Sequence, residues 1–262
     1  MDTLVSYTGP EDTGDGSARL TLDSPHNRNA LSSRLVAQLH AGLRDAAADP
    51  NVRVVVLGHT GNTFCAGADL SEASGGEPGD LAADRAREMA ALMRAIVESP
   101  RPVIAAVDGH VRAGGMGLVG ACDLAVAGPA STFALTEARI GVAPSIISLT
   151  LLPKLAPRAA ARYYLTGEKF GAAEAAAIGL ITLAVQNSAD VDTAVAGLVG
   201  DLRLGSPQGL AASKALTTAA VLAGFDRDAE RLSVASARMF VSEEAREGML
   251  AFLQKRPPSW SF

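Results

Sequence analysis

The sequence predicts an α/β fold in which two strands followed by a helix recur along the chain, closed by a helical C-terminal region. Three observations predict it. VRVVVLGHT (52–60) and RPVIAAVDG (101–109) are continuous apolar runs bounded by turn residues, as fully buried strands are. Residues 81–98 and the glycine-rich stretch after 109 then return to helical spacing. The last sixty residues read as consecutive amphipathic helices.

Taken in order, TLVSYT (3–8) and ARLTLD (18–23) read as two strands joined by a Gly/Pro/Asp-rich turn, so a hairpin is expected. Ser24 and Pro25 end the second strand, and Leu31, Leu35, Leu39 and Leu43 recur at helical spacing. SEASGGEPGD, after the first buried strand, reads as a loop. DLAVAG (123–128) is a further short strand, and Phe133 to Leu135 another. From about residue 157 the pattern is mostly helical, ending in SPQGLAASKALTTAAVLAG and DAERLSVASARMFVSEEAREGMLAFL.

Composition narrows the function. The 262 residues suffice for one large domain with a sizeable core, and 48% hydrophobic with 19% charged residues excludes a disordered chain. A net charge of −5 argues against a general nucleic-acid binder. Two cysteines, Cys65 and Cys122, and four scattered histidines form neither a disulfide framework nor a metal-ligand spacing. The N-terminus shows no signal peptide and no apolar run is long enough to span a bilayer, so a cytoplasmic location is expected.

The stretch VRAGGMGLVGACDLA (111–125) poses the functional question. Gly114, Gly115, Gly117 and Gly120 stand where a helix is expected, and each costs about 1 kcal/mol against alanine there. Two readings justify that cost. One is close helix–strand packing. The other is an anion site, because a helix N-terminus offers unpaired N–H groups and the positive end of a dipole. There is no phosphate-loop lysine and no dinucleotide fingerprint. NTFCAGADL (62–70) places a second tight glycine turn at the end of another buried strand. Two such turns can aim two backbone N–H groups at one point, which is the design of an oxyanion hole.

SARLTLDSPHNRNAL, FCAGADL, RPVIAAVDGHVRAGGMGLVGACDLAVAG and STFALTEARIGVAP, in that order, resemble the successive signatures of the enoyl-CoA hydratase/isomerase (crotonase) superfamily. The tail ending AFLQKRPPSW is similar as well. The resemblance implies a crotonase-like spiral of ββα units over residues 1–200 carrying an acyl-CoA site, and a helical trimerisation region over 201–262. It implies a homotrimer or a hexamer made of two trimers. It also implies an acyl-CoA substrate that brings the coenzyme A with it, and no separate cofactor or metal. The N–H groups of Ala68 and Gly114 become the oxyanion hole, with Ala66, Asp69 and Leu70 beside the substrate.

A typical hydratase of the family uses two glutamates twenty positions apart. Here the second is Glu137, but the first position is Gly117, which is expected to leave space opposite the substrate's β carbon. One carboxylate suffices to move a proton from the α to the γ carbon, whereas hydration also needs a held water. The residues therefore favour a delta-3 to delta-2 isomerase, or a hydratase whose water is held by another group. The resemblance to bacterial methylglutaconyl-CoA-type hydratases, where a glycine at that position is familiar, ranks hydration of a 2-enoyl-CoA first. A third alternative, of another class, is a non-catalytic acyl-CoA-binding oligomer, and thioester hydrolysis is a further one. Glu72 and Glu77 are possible replacement carboxylates, although charged loop residues are usually only solvated.

Read without the resemblance, Glu137 is a helix-terminus carboxylate with Thr136 as cap. As a proton carrier it needs burial to raise its pKa, and Phe133, Leu135 and Ile140 flank it. Arg28 stands where family members often have a basic residue near the CoA phosphates, and is otherwise an exposed loop arginine. Lys255 and Arg256 are candidates to reach a neighbouring subunit's CoA. Asp69 is expected to fix the oxyanion turn, Asp123 to be structural and Cys65 to be a buried filler. His110 is either pocket-lining or an ordinary packed histidine.

Overall fold

β1 (Val5–Thr8) and β2 (Ser17–Leu22) pair antiparallel, with Val5 opposite Leu22 and Thr8 opposite Arg19. The computed structural model describes residues 3–69, 72 and 78–261. The expected turn between the two strands holds one helical turn, α1 (Pro10–Thr13), with proline in its first turn and Gly14 ending it at φ 69°.

Three pairs of strands then build two sheets at once. β3 (Val54–His59) is followed by β4 (Thr63–Cys65), β5 (Val103–Val107) by β6 (His110–Arg112), and β7 (Leu124–Ala127) by β8 (Thr132–Ala134). The first strand of each pair joins the large sheet, and the second joins the small one. The large sheet runs β1-β2-β3-β5-β7-β10, and the small one β4-β6-β8-β9. Every contact between β2, β3, β5 and β7 is parallel, which requires a crossover after each. The crossovers are α2 (Ser33–Ala48), α3 (Pro78–Glu98) and α4 (Gly114–Ala121). The expected recurrence of two strands and a helix is thus present, and the apolar runs at 52–60 and 101–109 are buried central strands. Gly109, in the β5–β6 corner, lies so close to Asn62 that a Cβ there would approach its carbonyl oxygen to 2.6 Å.

α2 buries Leu35, Leu39 and Leu43, and its first turn is capped by Ser32, which accepts from Leu35 N at 3.2 Å. Leu31 is not part of it. That residue forms an isolated parallel bridge with Ala68 instead.

After residue 140 come α5 (Ser148–Leu151), α6 (Pro157–Thr166), α7 (Ala172–Ala177), α8 (Asp190–Arg203), α9 (Pro207–Phe240) and α10 (Glu243–Leu253). Two strands of two residues each, β9 (Phe170–Gly171) and β10 (Leu183–Ala184), interrupt this helical stretch and finish one edge of each sheet. α9 is a single helix of 34 residues lying along α3. Its Lys214 ammonium is buried, donating to Ile96 O and Arg101 O and pairing with Asp123 at 2.7 Å. Asp123 also accepts from Val103 N at 2.7 Å, so this carboxylate ties the start of β5 to α9. Among the described residues no helix is long and apolar enough to cross a membrane.

Candidate active site

The turn after β4 is laced to residues 28–31. Ala66 N donates to Arg28 O at 3.1 Å, Leu31 N to Gly67 O at 2.7 Å, and Asp69 N to Leu31 O at 3.2 Å. In this bridge the groups flanking Ala68 bond Leu31, so the N–H of Ala68 itself faces the other way. It has no backbone acceptor among the described residues, and Ala68 is exposed. Gly67 holds φ 96°, which favours glycine.

Gly114 opens α4. The preceding residue, Ala113, sits at φ 44°, ψ −119°, a costly conformation for a residue with a Cβ, and it carries no side-chain oxygen to cap the helix. Met116 N donates to Ala113 O at 2.9 Å, while the N–H groups of Gly114 and Gly115 have no backbone acceptor among the described residues. The two turns touch. A Cβ built on Gly67 would lie 3.4 Å from Gly114 N, and one on Gly114 would lie 3.6 Å from Gly67 Cα. Gly115 presses on β4, where a Cβ would come within 2.7 Å of Cys65 O. Close packing and the apposition of two turns thus hold together, and both explain the glycines.

Gly117 overturns an expectation. No space is left there, because a Cβ would stand 2.6 Å from Ile147 Cγ2 and 2.7 Å from Met93 Sδ. Thr150 donates to Gly117 O at 3.0 Å from the same side. Apolar side chains fill the place where the resemblance puts a first glutamate.

Glu137 begins a 3-10 turn, Glu137–Ile140, directly after β8. Thr136 precedes it but makes no side-chain cap. Glu137 is 9% exposed, and its Oε2 is buried with no hydrogen-bond partner among the described residues. Burial pushes its pKa up to about 7, with its own backbone N–H pulling the other way. Gly141 closes the turn at φ 77°, and α10 lies against it, with Gly248 packed on the Ile140 backbone.

The remaining candidates divide. Arg28 is exposed at the end of a 3-10 turn (Pro25–Asn27), and its backbone, not its guanidinium, holds the Ala66 turn. Asp69 accepts from Asn27 Nδ2 at 3.1 Å, which helps to fix the turn. Glu72 accepts from Ser33 N at 3.0 Å and pairs with Arg85, so it steadies the start of α2 instead of standing free as a replacement base. Leu70 and Glu77 lie outside the described residues. Lys255 is exposed beyond α10, with no side-chain hydrogen bond or ion pair among the described residues, and Arg256 is taken by Glu247 at 2.7 Å. The Cys65 thiol is buried and pushed up to about 12, a filler and no nucleophile. His110 is exposed, its Nδ1 2.8 Å from Thr132 Oγ1.

One residue escaped the sequence reading. The hydroxyl of Tyr164, on α6, is buried without a hydrogen-bond partner among the described residues, and Glu137 is the charge that acts on it. A tyrosine pair on an amphipathic helix carries no signal that separates this role from packing.

A frame of ββα units with two apposed glycine turns and a buried carboxyl, one of whose oxygens has no partner among the described residues, defines a crotonase-fold protein, and comparison with known proteins gives the family. The model of the enoyl-CoA hydratase/isomerase family matches residues 12–261, so the chain belongs to that family. The crystal structure of an enoyl-CoA hydratase from Mycobacterium avium is 72% identical, with a TM-score of 0.94 and all of both chains covered. A carnitinyl-CoA hydratase from the same organism is 28% identical, with a TM-score of 0.83, covering 100% of this chain and 99% of that one. Enoyl-CoA hydratase domain-containing protein 3, mitochondrial, from Danio rerio is 31% identical over 259 residues, 98% of this chain and 88% of its own length.

Proposed function

We propose that the protein adds water to, or removes it from, a 2-enoyl-CoA thioester. The N–H groups of Ala68 and Gly114 hold the thioester oxygen as it becomes an enolate, and Glu137 carries the proton. The observation that carries this reading is Glu137, a buried carboxyl with an unpartnered oxygen and a pKa raised to about 7. A group so poised can both take and return a proton near neutrality. The uncapped start of α4 against the Gly67 turn supports the oxyanion role. The names of the relatives support hydration. Ala66 and Asp69 would line the thioester, and the exposed charges of Arg28 and Lys255 suit the CoA phosphates.

A second reading is isomerisation of a delta-3 to a delta-2 enoyl-CoA. Closure of the Gly117 position by Ile147 and Met93 favours it, since no second carboxylate can stand there to order water. Assays with crotonyl-CoA and with a 3-enoyl-CoA separate the two. Hydration of the first supports the leading reading. Double-bond migration in the second, with the first inert, replaces it. Glu137→Gln should lower turnover of either by about a hundredfold or more. Unchanged turnover removes Glu137 from the chemistry, and binding of acyl-CoA thioesters without any turnover favours a binding protein.

A further inference from the structure

Two buried polar atoms on adjacent elements have no hydrogen-bond partner among the described residues, Glu137 Oε2 and the Tyr164 hydroxyl. Buried polar groups are nearly always paired, so each orphan asks for a cause, and two together ask for a common one. α6, which carries Tyr164, packs on the 3-10 turn that begins with Glu137. Arg139 of that turn donates to Thr166 O at 2.9 and 2.8 Å, which fixes helix and turn to one another. Gly167 ends α6 at φ 61° so close by that a Cβ would stand 2.8 Å from Arg139 Nε.

The neighbouring Tyr163 is already engaged, its hydroxyl donating to Glu174 at 2.7 Å and its ring lying 4.0 Å from that of Phe170. Tyr164 is held neutral, because burial and the Glu137 charge both raise its pKa. Other charged groups on the packed elements are paired elsewhere, Arg162 with Glu168 and Glu247 with Arg256. The Glu137 shift arises from burial and not from Arg158 on α6 or Glu243, Glu244 and Arg246 on α10.

We propose that the Tyr164 hydroxyl and the Glu137 carboxyl grip one oxygen between them, a water in the resting protein. Tyr164 thereby takes the water-holding part that no carboxylate can play at Gly117. This deepens the hydration reading and rests on it for its catalytic consequence. In hydration the gripped water gives one proton to Glu137 while its oxygen bonds the β carbon. The C=C electron pair moves onto the thioester oxygen, then returns as Glu137 delivers the proton to the α carbon. Tyr164 stays protonated throughout.

Tyr164→Phe removes only the oxygen. The first readout needs no substrate: the carboxylic C=O infrared band of Glu137, followed through a pH titration of the resting protein, with Glu137→Gln as the blank. Loosening the water that donates to the Glu137 carboxylate should move the midpoint up by about half a unit or more. Tyr164→Leu, different in shape, should move it likewise. An unmoved midpoint overturns the proposal. The second readout compares crotonyl-CoA hydration with α-proton exchange of butyryl-CoA in D2O. Hydration in Tyr164→Phe should slow by about tenfold or more, with exchange held within about threefold. Equal loss in both overturns the water-holding role. Inertness of the native protein toward crotonyl-CoA would defeat the hydration reading, while the titration still decides the grip.

Discussion

Ile147 lies over Gly117 so closely that a methyl group on the glycine would stand 2.6 Å from Ile147 Cγ2. Gly117→Ala gains about 1 kcal/mol of helix propensity. It meets an overpacking cost of about 1–3 kcal/mol. The expected result is a net loss of stability in urea unfolding, and a larger one for Gly117→Glu. Adding Ile147→Ala to Gly117→Glu should recover part of the loss, and only the double variant should accommodate the second carboxylate.

Glu137 gives a pH dependence with a fixed sign. Its folded pKa is raised to about 7 from 4.5, so the native state binds more protons than the unfolded one between those values. Stability falls as pH rises through that window, by up to about 3 kcal/mol from this group. Glu137→Gln removes the slope. The stability difference between variant and native protein should therefore grow from pH 4.5 to pH 7 and then level off.

The buried Lys214–Asp123 pair, at 2.7 Å, should be costly to break and cheap to replace. Lys214→Met strands the Asp123 carboxylate and is expected to cost about 3–5 kcal/mol. Lys214→Met with Asp123→Asn keeps an acceptor for Val103 N and should cost clearly less. A double-mutant cycle in urea measures the difference.

Gly67 holds φ 96°, and a Cβ there would lie 2.7 Å from that of Ala113. Gly67→Ala is expected to cost about 1–3 kcal/mol of stability. If Ala68 and Gly114 polarise the thioester, kcat/KM should fall more steeply than stability does, by about tenfold or more, because the variant pushes the two amides apart.

What the sequence makes legible depends on how local the signal is. β3 and β5 announce themselves because both faces of each are covered, leaving uninterrupted apolar runs. β9 and β10 cannot be read, since two residues show no period and their pairing is set by distant strands. Leu31 shares the spacing of α2 yet belongs to a bridge, because periodicity does not mark where Ser32 starts the helix. Glu137 is legible through resemblance, and its raised pKa through its apolar flanks. The closure at Gly117 is not, because Met93 and Ile147 arrive from other elements, and neither is the buried hydroxyl of Tyr164.

Cys65 ends β4 beneath Gly115, and Cys122 caps the far end of α4, so the two thiols bracket the glycine helix. Both are buried and pushed up to about 12, hence almost devoid of thiolate near neutrality. Alkylating reagents will reach them only when α4 lifts from its seat. Their labelling rate in the folded protein becomes a built-in gauge of how often that helix opens, and bound ligand should slow it at both sulfurs.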